Sequence, residues 1–409
     1  MFTTNPSLAA AGVACLLAAQ LAAQAPQNVA AGISPNDTAR FLAGMTPSSD
    51  PAVVELTRDS AWEQHARFFD SAWAKLETNQ LSKVRGWAQT RIPDAFAAKG
   101  AVFYMFSGPD FLYADTFFPQ ADTYVLCGIE PTGPLPDLSK LAPKALGGEL
   151  RALQGSLNSV LNFSFFITKD MQGDLQHHTL NGTLPVLYIF LARAGMTVRD
   201  ASYVNLDAGG ELSVQPQDSL RCAKNPAPGV RIRFSAEGSD TPRTLYYFST
   251  DISDSGLKPS GFLKFCQTLA PANGCVKSAS YLMHESAFSA VRGFLLENTT
   301  TLVQDDSGIP VSFFTPEAWQ LRLFGSYPGP IALFKNCYQS KLAEAYRTTK
   351  PEKLDFGIGY RHRAGESTLM VATHKPAAAG DAPPEVAPAT VPPRAVVVPQ
   401  AGAAPAAAP

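Results

Sequence analysis

The sequence predicts an α/β or α+β protein with a mixed sheet, in which the N-terminal strands are parallel, β-hairpins come later, and helices cover the sheet. Three observations predict this class. Residues 50–93 follow the helical period, residues 101–129 read as strand, short helix and strand, and residues 230–249 alternate as a hairpin does.

The N-terminal part of the predicted globular region is helical. Apolar side chains recur every three or four positions on one helix face, and residues 50–98 form this part. The members of the stripe are Trp62, Ala66, Phe69, Trp73 and Leu76. Such a stripe is typical of a helix packed on a core, and a partner-binding face is the alternative.

Two apolar runs with a short segment between them follow. Ala101–Phe106 ends in the breaker Ser107–Asp110, the aromatic segment 111–118 comes next, and Thr123–Ile129 ends at Glu130. A strand, a short helix and a second strand form the start of a βαβ-like unit, in which the two strands are parallel. We therefore expect these two strands to be parallel neighbours.

Further elements follow from the same patterns. Helices are predicted at 146–166, 184–194, 259–270, 287–298 and 331–346, and strands at 196–206, 299–304 and 320–324.

Two hairpins are predicted. Residues 230–235 alternate and return through a turn at 237–240, and residues 356–362 alternate and return as 368–373. Gly357 and Gly359 leave one face of the second hairpin without side chains, so an aromatic ring, another backbone or a ligand comes close there.

The two ends of the chain differ from its middle. Residues 8–25 are an uncharged Leu/Ala run that ends in Ala23-Gln24-Ala25, which predicts a signal peptide (1–25) cleaved near Ala25. A lipid-anchored Cys15 and an uncleaved anchor are the alternatives. Residues 375–409 are rich in Ala and Pro and are predicted to be disordered. A globular core at 33–374 lies between them, so we expect a periplasmic or secreted bacterial protein.

Five cysteines follow the predicted signal peptide: Cys127, Cys222, Cys266, Cys275 and Cys337. Cys266 and Cys275 flank the turn-rich segment 271–274, and an oxidising compartment favours a disulfide between them. Cys127 lies within a buried-strand pattern and is predicted to be an inert core thiol.

Charge and hydropathy limit the partners. The formal charge is -2 and no basic cluster occurs, which argues against a nucleic-acid binder. The run 8–25 is shorter than the ~20 residues of a spanning helix and no other stretch qualifies, so the mature chain has no predicted transmembrane span. A cell-envelope component or a small molecule is the expected partner.

Catalytic and cofactor motifs fail on inspection. His284-Glu285 lacks the second histidine of a zinc-binding helix, because Phe288 stands there, and Gly357-x-Gly359 lacks the third glycine of a dinucleotide loop. The sequence therefore assigns no cofactor and leaves any metal unknown.

Polar residues at predicted strand ends are the remaining site candidates: Ser107, Asp110, Glu130, Asp305 and Asp306. Ligands of α/β sheets gather beyond the carboxyl ends of the strands. If the strands are parallel and adjacent, these groups face one crevice, where carboxylates divide acid and base roles or hold a divalent cation. The structural alternative makes Asp110 a helix N-cap and 305–308 a turn.

Two functions follow. A binding or envelope-associated protein without catalysis is favoured, because each catalytic pattern fails. The alternative is an exported hydrolase that uses the strand-end carboxylates, with or without a metal ion.

Overall fold

The computed structural model describes residues 33–163, 178–216 and 227–375. The predicted signal peptide, Cys222, the predicted end of the helix at 164–166 and residues 376–409 of the predicted tail lie outside these ranges.

Within the described residues, one mixed sheet has the strand order β4-β3-β5-β6-β2-β1-β7-β8-β10-β9. The strands are β1 (Ala101–Tyr104), β2 (Thr123–Gly128), β3 (Met196–Leu206), β4 (Leu212–Gln215), β5 (Pro228–Ala236), β6 (Arg243–Ser249), β7 (Ala272–Val276), β8 (Thr299–Gln304), β9 (Trp319–Gly325) and β10 (Thr368–His374). The central strands β6, β2, β1, β7 and β8 are parallel, and antiparallel strands flank them on both sides. The predicted fold class and the parallel pairing of β1 with β2 are confirmed.

Helices cover both faces of the sheet. They are α1 (Pro35–Leu42), α2 (Pro51–Leu56), α3 (Ser60–Leu76), α4 (Ser82–Arg91), α5 (Pro93–Ala97), α6 (Phe111–Phe117), α7 (Leu146–Phe163), α8 (Leu184–Arg193), α9 (Asp254–Leu257), α10 (Phe262–Thr268), α11 (Ser289–Asn298) and α12 (Ser340–Thr349). A π-helical turn, Glu77–Leu81, joins α3 to α4. The apolar stripe of α3 packs on the core as predicted, through Trp62, Phe69 and Leu76. No helix in the described ranges is both long and apolar enough to cross a membrane.

Each central strand is buried on both faces. Val102 and Tyr104 of β1 belong to the core that includes α6 and α8, whereas Ala101 and Phe103 belong to the core that includes α10 and α11. Parallel strands covered on both sides read as continuous apolar runs, which is why the sequence shows β1 and β2 so clearly.

The chain order creates a switch point between β1 and β7. From β1 the chain passes through α6 to β2 on one side, whereas β7, on the other side of β1, connects through α11 to β8. Since α6 and α11 lie on opposite faces, the loops that follow β1 and β7 leave the sheet in opposite directions. Such a divergence opens a crevice beyond the carboxyl ends of the strands.

One predicted hairpin is confirmed and the other is wrong. Strands β5 and β6 form the first. In place of the second, residues 356–366 form turns with a single bridge between Ile358 and Arg361, and β10 pairs with β8 and β9. The side-chain amide of Gln80 accepts the Gly357 N–H at 3.2 Å and donates to the Gly357 carbonyl, so a hairpin ladder cannot use these groups.

The predicted Cys266–Cys275 disulfide is also wrong, because both residues are buried free thiols. Cys266 on α10 packs against one face of the sheet and Cys275 on β7 faces the other. The intervening Asn273-Gly274 lies inside β7 rather than in a turn. Gly274 fits there because a Cβ atom would lie 2.6 Å from a Leu302 methyl group.

Candidate functional site

A cleft of about 660 Å³ lies at the carboxyl ends of the central strands. Residues that follow β1, β2, β6 and β7 line it, and residues from 282–288, 331–334 and Tyr360 complete its walls. Its volume falls within the range of about 300–1,000 Å³ that is typical of small-molecule sites. The cleft is hereafter called the switch-point cleft, because it spans the divergence between β1 and β7.

A buried ion pair crosses the switch point. The Lys277 Nζ atom, directly after β7, lies 3.0 Å from Asp110 Oδ2, and each side chain is 2% exposed. Asp110 Oδ2 also accepts the Tyr104 hydroxyl at 2.8 Å, and Oδ1 caps α6 by accepting the Tyr113 N–H at 3.2 Å. The ammonium group sits 4.3 Å from the centre of the Tyr113 ring. Asp110 is therefore both the N-cap and a cleft residue, the two roles that the sequence left open.

The sequence did not point to Lys277. A lysine directly after a buried strand could have indicated a site residue at the end of that strand. The strand, Ala272–Val276, was not predicted because Asn273-Gly274 within it has the sequence of a turn.

Glu130, which follows β2, also lines the cleft. Glu130 is 4% exposed. The Tyr247 hydroxyl donates to the Glu130 carbonyl oxygen at 2.8 Å and lies 3.3 Å from Oε2 of the same residue. Two glycines make room for the carboxylate: a Cβ at Gly128 would lie 2.2 Å from Oε2, and one at Gly108 would lie 3.3 Å from Oε1. Glycine at positions 128 and 108 therefore leaves the space that the Glu130 carboxylate occupies on the floor of the cleft.

Ser107 lines the cleft as well, but its hydroxyl serves the loop. It donates to the Gly108 carbonyl at 2.8 Å and accepts the Cys127 N–H at 3.3 Å, which ties the loop after β1 to β2. Burial raises the pKa of Cys127 to about 12, as suits the inert core thiol predicted for this position.

Asp305 lies behind the wall of the cleft and is not among its described lining residues. Its Oδ2 accepts the Ser278 N–H at 2.9 Å, and its Oδ1 accepts the Ser307 N–H at 2.9 Å. The Ser307 hydroxyl in turn accepts the Ala279 N–H at 2.8 Å. Asp305 and Ser307 therefore hold the loop that follows β7, and residues 305–308 form the turn that was the structural alternative.

Asp306 is also outside the described lining of the cleft. Its Oδ2 accepts the Tyr281 hydroxyl at 2.6 Å. Burial, with the adjacent Asp305, raises the pKa of Asp306 to about 7, and burial also raises the pKa of Asp305. No group of three or more His, Cys, Asp or Glu side chains arranged to hold a metal ion occurs within the described ranges.

Backbone strain is concentrated in the two loops beside the switch point. Among the described non-glycine residues, five have a positive φ, and four of them lie here: Phe106 at 60°, Ser278 at 53°, Ser280 at 50° and Tyr281 at 56°. Left-handed conformations in non-glycine residues are costly and cluster at binding and active sites. This strain favours a functional role for the two loops, and it does so independently of the cavity.

Two C-terminal segments form the aromatic wall of the cleft. Phe334 and Tyr360 line it with ring centroids 5.4 Å apart, and the ring of Tyr281 lies behind them, 5.0 Å from Phe334. The predicted helix 331–346 is instead a 3₁₀ segment, Ala332–Cys337, followed by α12. Arg361 binds the carbonyls of Gly329 and Pro330 at 2.9 and 3.1 Å, which fixes this segment beside the cleft.

The structure thus brings Ser107, Asp110 and Glu130 to one cleft and places Asp305 and Asp306 behind it. Comparison with protein-family models, with curated proteins and with solved structures finds no match to this chain.

Proposed function

We propose that the protein binds a small organic molecule in the switch-point cleft. One observation carries the proposal: a cleft of about 660 Å³ lies where the loops after β1 and β7 diverge. Ligands of α/β sheets bind at this position because the diverging loops leave space that side chains do not fill.

The polar groups of the floor support binding rather than catalysis. Asp110 is held by Lys277, Tyr104 and the start of α6, and the Ser107 hydroxyl bonds to backbone groups. Groups fixed in this way orient a ligand and give specificity, whereas a general acid or base exchanges its proton with the substrate.

We further propose that binding takes place outside the cytoplasm, in the periplasm or the secreted fraction, with the envelope as an alternative location. The support is the apolar run 8–25 with its Ala23-Gln24-Ala25 site. Cell fractionation with N-terminal mass determination tests this, and a cytosolic chain that keeps Met1 would contradict it.

The binding proposal is tested with N-phenyl-1-naphthylamine, a neutral apolar dye that fluoresces in apolar sites. We expect saturable binding at one site. Leu333→Glu, at the rim of the cleft, should weaken it about fivefold or more, because an apolar contact is replaced by a charge. Val214→Glu is the matched control, since Val214 is 56% exposed on the edge strand β4 and Leu333 is 79% exposed. Absence of saturable binding, or equal loss in both variants, would overturn the proposal.

A hydrolase remains the second candidate, on one observation: Asp110 and Glu130 line the same cleft. Chromogenic ester, phosphate and glycoside substrates test it, with and without added divalent metal ions. Turnover that falls by about 10²-fold or more in Glu130→Gln would establish catalysis, because loss of a general acid or base has this effect. If none of these substrates is turned over above background, the hydrolase candidate is rejected and the binding function is the one that remains.

A further inference from the structure

We propose that the outer edge of β9 binds an extended segment of a partner protein. The segment adds a further strand to the sheet and carries an acidic residue between apolar ones. This interface is separate from the switch-point cleft and does not depend on the proposed binding of a small molecule.

Strand β9 is an edge of the sheet, and its pairing with β10 shows which backbone groups face outward. The Ser326 N–H donates to the Ser367 carbonyl at 2.8 Å. In an antiparallel pair every second residue bonds to the partner strand, so residues 320, 322 and 324 bond to β10. The N–H and C=O groups of Leu321 and Leu323 therefore point away from the sheet.

These four outward groups have no partner among the described residues. The open stretch is closed at both ends, because the Trp319 N–H donates to the Thr315 carbonyl at 2.9 Å and the Gly325 N–H donates to the Glu352 carbonyl at 2.6 Å. An unpaired row of N–H and C=O groups is a template on which another strand can pair.

Strand β9 lacks features that protect the edge of a sheet. Its register with β10 is unbroken over seven pairs, and it contains no proline. The other edge strand in the described part of the chain, β4, has only four residues. Since bulges, prolines and short strands are the usual protection against pairing, β9 is the edge better suited to a partner strand.

One face of the β9 edge is apolar. Leu321 and Leu323 are partly exposed and pack against the core that includes α10 and α11. They carry this core out to the last strand of the sheet. Apolar side chains on the same face of an added strand would pack beside them, as cross-strand neighbours do in any sheet.

The opposite face of the edge carries a positive charge. Side chains alternate along a strand, so Arg322 lies on the other face from Leu321 and Leu323. Arg322 is partly exposed, and its guanidinium group has no hydrogen-bond or ion-pair partner among the described residues. In an added antiparallel strand, the Cβ atom directly opposite would lie about 4.5–5.5 Å away, so a glutamate or aspartate there would pair with Arg322.

The same arginine disfavours a second copy of the chain as the partner. Two copies of β9 paired antiparallel about Arg322 would place the two arginines directly opposite each other. Like charges in this position destabilise the pair. A partner strand with an acidic residue is therefore the better match.

Two synthetic heptapeptides with the same fluorescent label test the inference: Ser-Thr-Val-Glu-Val-Thr-Ser and the same peptide with lysine in place of glutamate. In fluorescence anisotropy with the full chain, we expect the glutamate peptide to bind about threefold or more tightly than the lysine peptide. Arg322→Glu should reverse this order. Partial unfolding of a variant cannot cause such a reversal, because both peptides are compared on the same protein.

A proline substitution tests the backbone contacts. Leu323→Pro removes an outward N–H group and leaves the bonds to β10, so we expect the glutamate peptide to bind about fivefold more weakly. Val214→Pro is the matched control, because the N–H of Val214 also faces outward, on β4, and its loss should leave peptide affinity unchanged. Circular dichroism checks that both variants fold.

Hydrogen exchange locates the interface. In the free full chain, the amides of Leu321 and Leu323 should exchange about tenfold or more faster than those of Arg322 and Phe324, which bond to β10. Saturation with the glutamate peptide should slow the two leucine amides.

Several results would overturn the inference. These are the absence of saturable binding, equal affinity of the two peptides, or equal weakening by Leu323→Pro and Val214→Pro. Protection of the Leu321 and Leu323 amides in the free chain would also overturn it, because the chain itself or a second copy would then occupy the edge. Sedimentation equilibrium distinguishes these two occupants. None of these results affects dye binding in the switch-point cleft, so the two proposals fail independently.

Discussion

Asp110 and Asp305 occupy similar positions in the chain, shortly after a central parallel strand, yet they do different things. Asp110 faces the switch-point cleft and pairs with Lys277, whereas Asp305 accepts backbone N–H groups of the loops behind the cleft wall. Their strands differ in position: β1 lies at the switch point and β8 lies two strands away. Both residues are strand-end aspartates, so the contacts of each carboxylate, rather than residue type, distinguish the two positions.

The electrostatics of the two regions differ accordingly. Asp110 keeps a cation within ion-pair distance, whereas burial is the largest influence on Asp305 and Asp306 and raises the pKa of both. The first region holds a buried ion pair, and in the second region burial shifts both carboxyl groups toward the protonated form. Four substitutions test this contrast.

Lys277→Met should lower the free energy of unfolding by about 3–5 kcal/mol, because it leaves Asp110 charged and buried without its cation. Urea unfolding measures this, and Lys264→Met, at an exposed lysine, is the control. The double variant Asp110→Asn/Lys277→Met should regain most of the loss, since asparagine still caps α6. A loss below about 1 kcal/mol in Lys277→Met would show that the ion pair is not the distinguishing feature of this region.

Gly359→Ala should lower the free energy of unfolding by about 2–3 kcal/mol, because a left-handed alanine is strained and its Cβ would lie 1.9 Å from Asp305 Oδ2. Gly365→Ala is a matched control: its φ is also positive, but nothing lies within 4 Å of the added Cβ. We expect the control to cost about 1 kcal/mol. Equal losses would mean that the contact with Asp305 is unimportant.

Asp306→Asn should raise the free energy of unfolding relative to the wild type, and this gain should be about 1–3 kcal/mol larger at pH 8 than at pH 5. The pKa of Asp306 is raised from 3.8 to about 7, so its contribution to stability is present below pH 4 and is lost as the pH rises through 7. An amide stays neutral throughout and avoids this loss. Urea unfolding at both pH values, with Asp251→Asn as an exposed control, measures the difference. The same stability change at both pH values would contradict the raised pKa.

Tyr360→Phe should lower the free energy of unfolding by about 1 kcal/mol, because its hydroxyl donates to the Ser278 carbonyl at 3.0 Å and accepts the Ser280 N–H at 3.1 Å. Thermal unfolding detects this change, and Tyr338→Phe, at a tyrosine 56% exposed, should have no effect. If the two variants behave alike, the loop after β7 does not depend on Tyr360.

The parallel core was predictable because β1, β2 and β8 are apolar runs ended by breakers. Strand β7 was not predictable, because Asn273-Gly274 has the sequence of a turn. The glycine is explained only by its packing against Leu302, which the sequence does not show. The second hairpin failed for a similar reason: Gln80, remote in sequence, binds Gly357. Local patterns cannot show such contacts.

The candidate site was predictable only in part. The sequence placed Ser107, Asp110 and Glu130 at strand ends, but it did not contain the order of the strands. In the structure the loops after β1, β2, β6 and β7 meet at one cleft, whereas Asp305 and Asp306, which follow β8, lie behind its wall. Lys277 was not predicted as a site residue because β7, the strand that it follows, was not predicted either.

The contact between Gln80 and Gly357 has a consequence for how the chain acquires its shape. It links positions 277 residues apart, and it anchors the segment whose Tyr360 completes the aromatic wall. Distant contacts form late, since closing a long loop costs entropy before any contact repays it. A nascent polypeptide that has not yet been extended through residue 360 therefore lacks the ring that packs on Tyr281 and Phe334.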